Sequence, residues 1–548
     1  MRLSVFVILL IFSFNLQVGS STDEKLFFFR LNQIGFLPGE LKTAVLLSTF
    51  PIENTQCYVR KIVNDEIVYN VKIPGNHFAY GEFNYCTEID FSELKEEGGY
   101  YLSFGEFKSY SFKIGDDLFN DVRDPLSLFF KVQRCGPTNP MLHQVCHLSD
   151  VTKVIGYPDT SAVDVTGGWH DAGDYIKFFS TAAYTTYMLL FSYEFDKEKF
   201  GYDLDGNEVP DILEEARIGI DWLLRCRFKD DLFITQVQDL TDHKVGWRLP
   251  EHDTLRYNRP GFTGIGKNQT GIYAAVMSLA SRIWREKFFE IEFADKLLNS
   301  ALHMYSLNEH IPDVDSTESG FYQDFDHFGK TALGAIELFI STKEKKFYNE
   351  AVALADSAKS DFWWSWGNIN SLAHFKIAEF NSSYISYIKN NLDQYTLKSK
   401  NSSFREATEY TWGSTNSFLG ASLQSILYKR LTRKNDYDSL MIFQRDFVLG
   451  RNAWGVSFIH NIGSSYSKNL HSQIAFFNDG YLPGAMSSGP APTSILIERK
   501  LIKSNFPEDK FNTTEIKYYD DFNNYIANEP AIVSNATALF VFGYFSSI

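Results

Sequence analysis

Hydrophobic and polar positions along this chain keep two different periods. From residue 26 to about 114 they alternate over short runs, among them 43–48 (TAVLLS), 57–63 (CYVRKIV) and 100–104 (YYLSF). Gly, Pro and acidic residues separate the runs, as at Pro38-Gly39 and Gly98-Gly99. Short runs at this spacing predict a β-sandwich of immunoglobulin size, with 111–117 (SFKIGDD) as its last strand and exit. Beyond it the period becomes 3.6. Over 211–227, Ile212, Ala216, Ile220, Leu223 and Leu224 fall on one helical face, and Asp211 is suited to cap its start. The same stripe recurs at Ile272, Ala275, Val276, Leu279 and Ile283, and at Leu333, Ile336, Leu338 and Phe339. Further helical patterns lie near 120–133, 180–196, 292–304, 346–358, 415–431 and 436–448. The expectation is a β-sandwich over 26–114 followed by a mainly α domain over 115–548, with about a dozen helices whose arrangement periodicity leaves open.

The N-terminus adds a compartment. Arg2, an apolar stretch over 3–16 and the small-residue ending Val18, Gly19, Ser20 read as a signal peptide over 1–20, which predicts a secreted or periplasmic protein. A membrane anchor needs about 20 apolar residues, and Ser13, Asn15 and Gln17 interrupt this stretch. The formal charge of −16 disfavours nucleic acid or an anionic membrane as partner. Five Cys among 548 residues are too few for a disulfide scaffold.

Two segments carry candidate chemistry. In GGWHDAGDYIKF (167–178), Asp171 and Asp174 stand three residues apart, and the Ala172-Gly173 turn lets both carboxylates converge on one water. Taken alone, the pattern also suits Asp in a turn before a helix. In YYDDFNNYIANEPAIVSNATALF (518–540), Glu529 sits among aromatic and apolar residues that raise a carboxyl pKa, although a first-turn helix carboxylate would look the same. Cys135, Cys146, His147 and His170 offer two sulfurs and two nitrogens suited to tetrahedral zinc, or a Cys135–Cys146 disulfide, or two buried thiols. Asp203, Asp205, Asn207 and Asp211 follow a calcium-loop spacing, but Glu208 stands where that loop needs Gly, so a solvated loop entering a helix competes with calcium.

Taken together, these segments resemble glycoside hydrolase family 9. GGWHDAGD is similar to one family signature, and Tyr518, Asp520, Tyr525, Glu529, Ala531, Asn535 and Ala536 fall at the spacings of another. FRLNQIGFLP (29–38) resembles the immunoglobulin-like module of one family branch. Five further segments, at 206–216, 242–251, 410–416, 447–458 and 482–492, follow in family order. The resemblance implies an (α/α)6 barrel that cuts β-1,4-glucan by inversion, with Asp174 as base, Asp171 holding the water and Glu529 as acid. Inverting carboxyls stand about 6.5–9.5 Å apart, leaving room for that water. Trp169, His243, Trp247, Arg248, Trp412, His471 and Tyr525 fall in segments that resemble the family's cleft lining, where aromatic faces suit pyranose rings. The resemblance further implies structural zinc on the Cys/His set, leaves calcium open, and calls for no organic cofactor; a monomer is expected. Three departures bear on the subsites. The family's His-x-Arg is here His471, Ser472, Gln473; an aromatic after the acid is Ser534; and Gly-Gly-Pro is Ser488, Gly489, Pro490. Endo-cutting is the leading expectation. Exo-cutting of short gluco- or glucosamino-oligosaccharides is the rival, and an inactive sugar-binding protein stands behind both because all three carboxylates are present.

Overall fold

A computed structural model describes residues 25–52, 56–160, 162–315 and 322–548. The proposed leader lies outside them. The N-terminal strands form two sheets. One runs Phe27–Arg30, Thr43–Ser48, Phe83–Asp90, Phe78–Tyr80; the other runs Gly35–Phe36, Phe112–Ile114, Gly98–Phe104, Cys57–Lys61, Ile67–Val71. Their inner faces enclose Phe29, Phe36, Leu46, Val59, Ile89 and Leu102. Thr43–Ser48 is buried throughout because its alternate residues serve two cores: Ala44 and Leu46 face the sandwich, while Val45 and Leu47 face the helical domain. That double duty explains a run of apolar residues where a one-sided strand would alternate.

The sandwich is tied to the helices by buried polar groups. Asn32 donates to Asp446 at 2.8 Å, Arg445 forks onto Glu40 at 2.7 and 2.8 Å, and Arg451 pairs with Glu88. Bidentate geometry of this kind fixes orientation as well as contributing energy.

Twelve helices of nine residues or more follow among the described residues. The first eleven are α1 (Asn120–Gln133), α2 (Phe179–Phe195), α3 (Asp211–Arg225), α4 (Lys267–Ile283), α5 (Ile291–Ser306), α6 (Phe328–Thr342), α7 (Lys345–Ala358), α8 (Asn370–Ala378), α9 (Ile385–Lys400), α10 (Ser414–Thr432) and α11 (Asp438–Val448); the C-terminal helix is Ile532–Phe545. The even-numbered helices and the C-terminal helix are buried nearly all round, whereas the odd-numbered ones bury one face. Amphipathicity therefore sorts them into an inner and an outer ring. The inner helices neighbour one another in the closed order α2, α4, α6, α8, α10, C-terminal helix and back to α2, each with an outer helix against it, which is the (α/α)6 barrel. Packing is closest between α4 and α6, where a Cβ on Gly334 would lie 2.5 Å from the Gly271 carbonyl oxygen.

Helices α8 and α9 fall outside the predicted helical patterns. α8 is buried over all nine residues, and the buried face of α9 includes Asn391 and Ser399. Asp211 does not cap α3. Pro210 holds the N-cap position, and Asp211 is the first helical residue, its Oδ1 accepting the Leu204 N–H. A small sheet that periodicity does not reveal, Lys153–Val154, Pro260–Gly264, Leu232–Val237 and Lys177–Phe178, receives the chain leaving the 167–176 loop.

Candidate active site

The 170–176 loop is clamped from three sides. The end of α1 holds its start: the His170 N–H donates to the Gln133 carbonyl at 2.8 Å, and Gln133 Nε2 donates to the Ala172 carbonyl at 2.7 Å. The Ile532 N–H, opening the C-terminal helix, donates to the Asp171 carbonyl at 3.0 Å, and the Gln473 N–H donates to the Gly173 carbonyl at 3.0 Å. Glycine at 173 answers a steric demand, because a Cβ there would lie 2.0 Å from the His471 carbonyl oxygen.

This clamping gathers three carboxyl groups in distinct environments. Asp171 is buried and accepts hydroxyl hydrogen bonds from Thr181 and Tyr322; burial pushes its pKa up to about 7. Asp174 Oδ1 accepts the Ile176 N–H at 3.0 Å, and Oδ2 accepts from His243 Nε2 at 2.7 Å. That hydrogen bond raises the His243 pKa. Glu529 ends the short helix Tyr525–Asn528, and its Oε1 accepts the Gly173 N–H at 3.3 Å. Burial first, then the charges of Asp174 and Asp171, holds its carboxyl well above the usual range. A carboxyl with a raised pKa thus lies near a second carboxyl that is hydrogen-bonded to a histidine, two environments of the kind that acid–base chemistry uses.

An aromatic border leads away from these groups. Trp412 is 43% exposed, with its ring 5.6 Å from that of Tyr525; Tyr525 is 5.7 Å from His471, and His471 is 5.1 Å from Trp247. Trp247 continues to Phe476 at 5.2 Å and Phe522 at 5.8 Å. The His471 N–H donates to the Asn528 carbonyl, and its Nδ1 to the Phe522 carbonyl at 2.7 Å, so this ring is held by the segment that carries Glu529.

Two expected sugar contacts belong elsewhere. Trp169 is 1% exposed and lies in the core, donating to Glu215 and packing on Gly219 of α3, where a Cβ would come within 2.6 Å of the ring. Arg248 is buried and committed to Asp242 at 2.6 Å and Asp253 at 2.7 Å. Thr181, Tyr322 and Phe476 at the site carry no motif, and Phe522 lies within 518–540 without being singled out by it. Ser488, one of the departures from the family pattern, donates from its hydroxyl to the Glu529 carbonyl at 2.8 Å. Cavities of about 740 and 700 Å³ lie beside the sandwich and beside α3, and neither is lined by the three carboxyls.

Cys135, Cys146, His147 and His170 converge, all four buried, as a group able to hold a metal ion. Cys135 and Cys146 are free thiols with sulfurs 3.9 Å apart. Cys135 Sγ is 3.5 Å from His147 Nδ1, Cys146 Sγ is 3.8 Å from His170 Nε2, and the two nitrogens are 3.2 Å apart. A tetrahedron with ordinary zinc bond lengths has edges of about 3.8 Å between sulfurs, 3.5 Å between sulfur and nitrogen and 3.3 Å between nitrogens. Asp253 Oδ2 accepts from the far side of the His147 ring at 3.0 Å, the usual outer partner of a metal-bound imidazole. Asp203, Asp205 and Asp211 also converge, but both Asp203 oxygens accept backbone N–H groups of 206–208, and Asn207 Oδ1 accepts the Val209 N–H. The loop is closed by its own hydrogen bonds.

Comparison with known proteins bears on this arrangement. Endoglucanase D of Acetivibrio thermocellus is 25% identical over 507 residues, covering 84% of this chain and 78% of that one. A cellodextrinase of Butyrivibrio fibrisolvens is 26% identical, covering 84% and 90%. The crystal structure of a metagenome-derived glycoside hydrolase family 9 endoglucanase superposes with a TM-score of 0.82 at 25% identity, covering 95% of this chain and 99% of that one. Residues 28–109 match the cellulase N-terminal ig-like domain, and residues 119–542 match glycosyl hydrolase family 9. Since that second match spans all but the last three residues of the helical barrel and includes all three clustered carboxyls, the chain belongs to glycosyl hydrolase family 9 and is a glycoside hydrolase.

Proposed function

We propose that the chain is an endo-acting β-1,4-glucanase that works by inversion. Asp174 takes a proton from water as the water oxygen bonds to the anomeric carbon, while Glu529 gives its proton to the departing glycosidic oxygen. Hydrolysis then leaves one new hydroxyl on each fragment, and the proton taken up by Asp174 returns to Glu529 through solvent. The observation that carries this reading is the pairing of a half-buried Glu529, its carboxyl pKa raised, with an Asp174 bonded to His243, joined through the one-residue bridge of Gly173. Asp171, held by Thr181 and Tyr322, shapes the turn and steadies the water rather than acting as a second base. His243, Trp247, Trp412, His471 and Tyr525 supply sugar contacts along the cleft.

The names of the relatives favour cellulose-like glucan, and the aromatic border suits the apolar faces of its rings. Zinc is the metal we assign to the Cys/His group, because soft sulfur and imidazole donors at tetrahedral spacing favour it. Four protein ligands leave no open position, so the ion braces the 170–176 loop through His170 and supplies no step of the reaction. Calcium at 203–211 has no part in this reading. The protein works as an exported monomer, with a sandwich over 26–114 and a catalytic body over 115–548. No helix among the described residues is long and apolar enough to cross a membrane.

The test is viscosity against reducing ends released from carboxymethyl cellulose. Early viscosity loss is expected; monosaccharide release from cello- or chitosan-oligosaccharides at constant viscosity would replace endo by exo action.

A further inference from the structure

Gln473 is 4% exposed, although the family resemblance leads one to look at this position for a sugar contact. Its side chain is engaged by Arg248. Gln473 Oε1 accepts the Arg248 N–H at 3.1 Å and stands 3.5 Å from Arg248 Nη1. Arg248 in turn organises the segment that carries His243. Nη2 binds Asp242 Oδ1 at 2.6 Å, Nη1 reaches the Gly246 carbonyl at 3.1 Å, and Nε binds Asp253 at 2.7 Å. Asp242 Oδ2 accepts the Tyr175 N–H at 3.3 Å, one residue beyond Asp174. The backbone of Gln473 meanwhile holds the Gly173 carbonyl.

One residue thus grips the 170–176 loop with its main chain and the 242–248 segment with its side chain. The contact between those two segments that matters for chemistry is His243 on Asp174, at 2.7 Å. An arginine in this rotamer would bring a second guanidinium against Arg248, whereas the neutral amide oxygen supplies an acceptor to a buried cation.

We propose that Gln473 is a positioning residue that acts through Arg248 to hold His243 against Asp174, and that it is not a sugar contact. The inference rests on the assignment of Asp174 as base, so its test includes a readout that needs no catalysis. Asp174, Asp242 and the His471 ring are among the titratable groups facing His243. Gln473→Met keeps the volume and removes the acceptor; Gln473→Glu keeps the acceptor; Gln473→Asn withdraws it and serves if the Met variant does not fold.

Titration of the His243 ring by NMR should move down toward 6.5 in the Met and Asn variants and stay with wild type in the Glu variant. On cello-oligosaccharides the Met variant should lose about tenfold or more in kcat with KM changed less than about twofold, and the Glu variant should recover most of that loss. A raised KM at unchanged kcat would make Gln473 a sugar contact and overturn the proposal. So would His243 titrating in the Met and Asn variants as in wild type. A wild-type protein inactive on glucan would defeat the functional reading while leaving the NMR comparison decisive for this one.

Discussion

Replacing Gly173 by Ala tests whether loop geometry sets the rate. The added Cβ would lie 2.0 Å from the His471 carbonyl oxygen and 3.2 Å from Glu529 Oε1. Ordinary contact begins near 3.4 Å, so the backbone must open by about 1.4 Å. The displaced groups are the Gly173 N–H on Glu529, the Gln473 N–H on the Gly173 carbonyl, and the His471 strap. A misplacement of about 1 Å costs on the order of 100-fold in rate, close to 2.7 kcal/mol of barrier. Overpacking should cost about 1–3 kcal/mol of stability, leaving the barrel folded. The assay is kcat on a soluble cello-oligosaccharide with a thermal melt alongside. Gly39→Ala is the control, since a Cβ there meets nothing within 4 Å. A Gly173→Ala enzyme within about threefold of wild-type kcat would refute the argument that this close approach aligns acid and base.

The raised Glu529 carboxyl gives pH predictions of definite sign. As the proposed general acid it acts in its protonated form, so activity should fall as pH rises through a value above the ordinary 4.5, and this alkaline limb should vanish in Glu529→Gln. A raised folded-state pKa also means that stability present at low pH is lost as pH rises through that value; melting curves should show Glu529→Gln gaining on wild type in the alkaline range and matching it in acid. Strong chelation should remove about one zinc per chain and lower the melting temperature before it abolishes turnover; no zinc, with a Cys135–Cys146 disulfide by mass spectrometry, would reverse that assignment. Arg445→Met should cost about 3–5 kcal/mol in thermal unfolding, because Glu40 and Asp446 lose a buried partner between sandwich and barrel.

Inner helices such as α2 and α4 are legible in sequence although buried nearly all round, but the clearest periods belong to elements with one face in solvent. The stripe of α3 and the alternation of Cys57–Lys61 are of this kind. Where burial is complete, as in α8, no period survives to be read, and the ring order of the helices came from family resemblance rather than periodicity. At the site, the spacing of Asp171 and Asp174 raised the possibility of a carboxylate pair, and the resemblance gave the residues their expected roles. Spacing does not tell which way a neighbour points. Trp169 adjoins the loop in sequence, yet Gly168 takes a φ of +70° beside it, and the indole enters the core. Arg248, also expected along the cleft, is instead committed to Asp242 and Asp253. Thr181 and Tyr322 reach Asp171 from ten and 151 residues away, and no local pattern announces either.

The most direct test of the central claim compares Glu529→Gln with wild type on two substrates, a cello-oligosaccharide and an aryl cellobioside whose leaving group needs no protonation. Loss of a general acid should cost about 10²–10⁴-fold on the first and far less on the second. A variant within about tenfold of wild type on the oligosaccharide would contradict Glu529 as the proton donor.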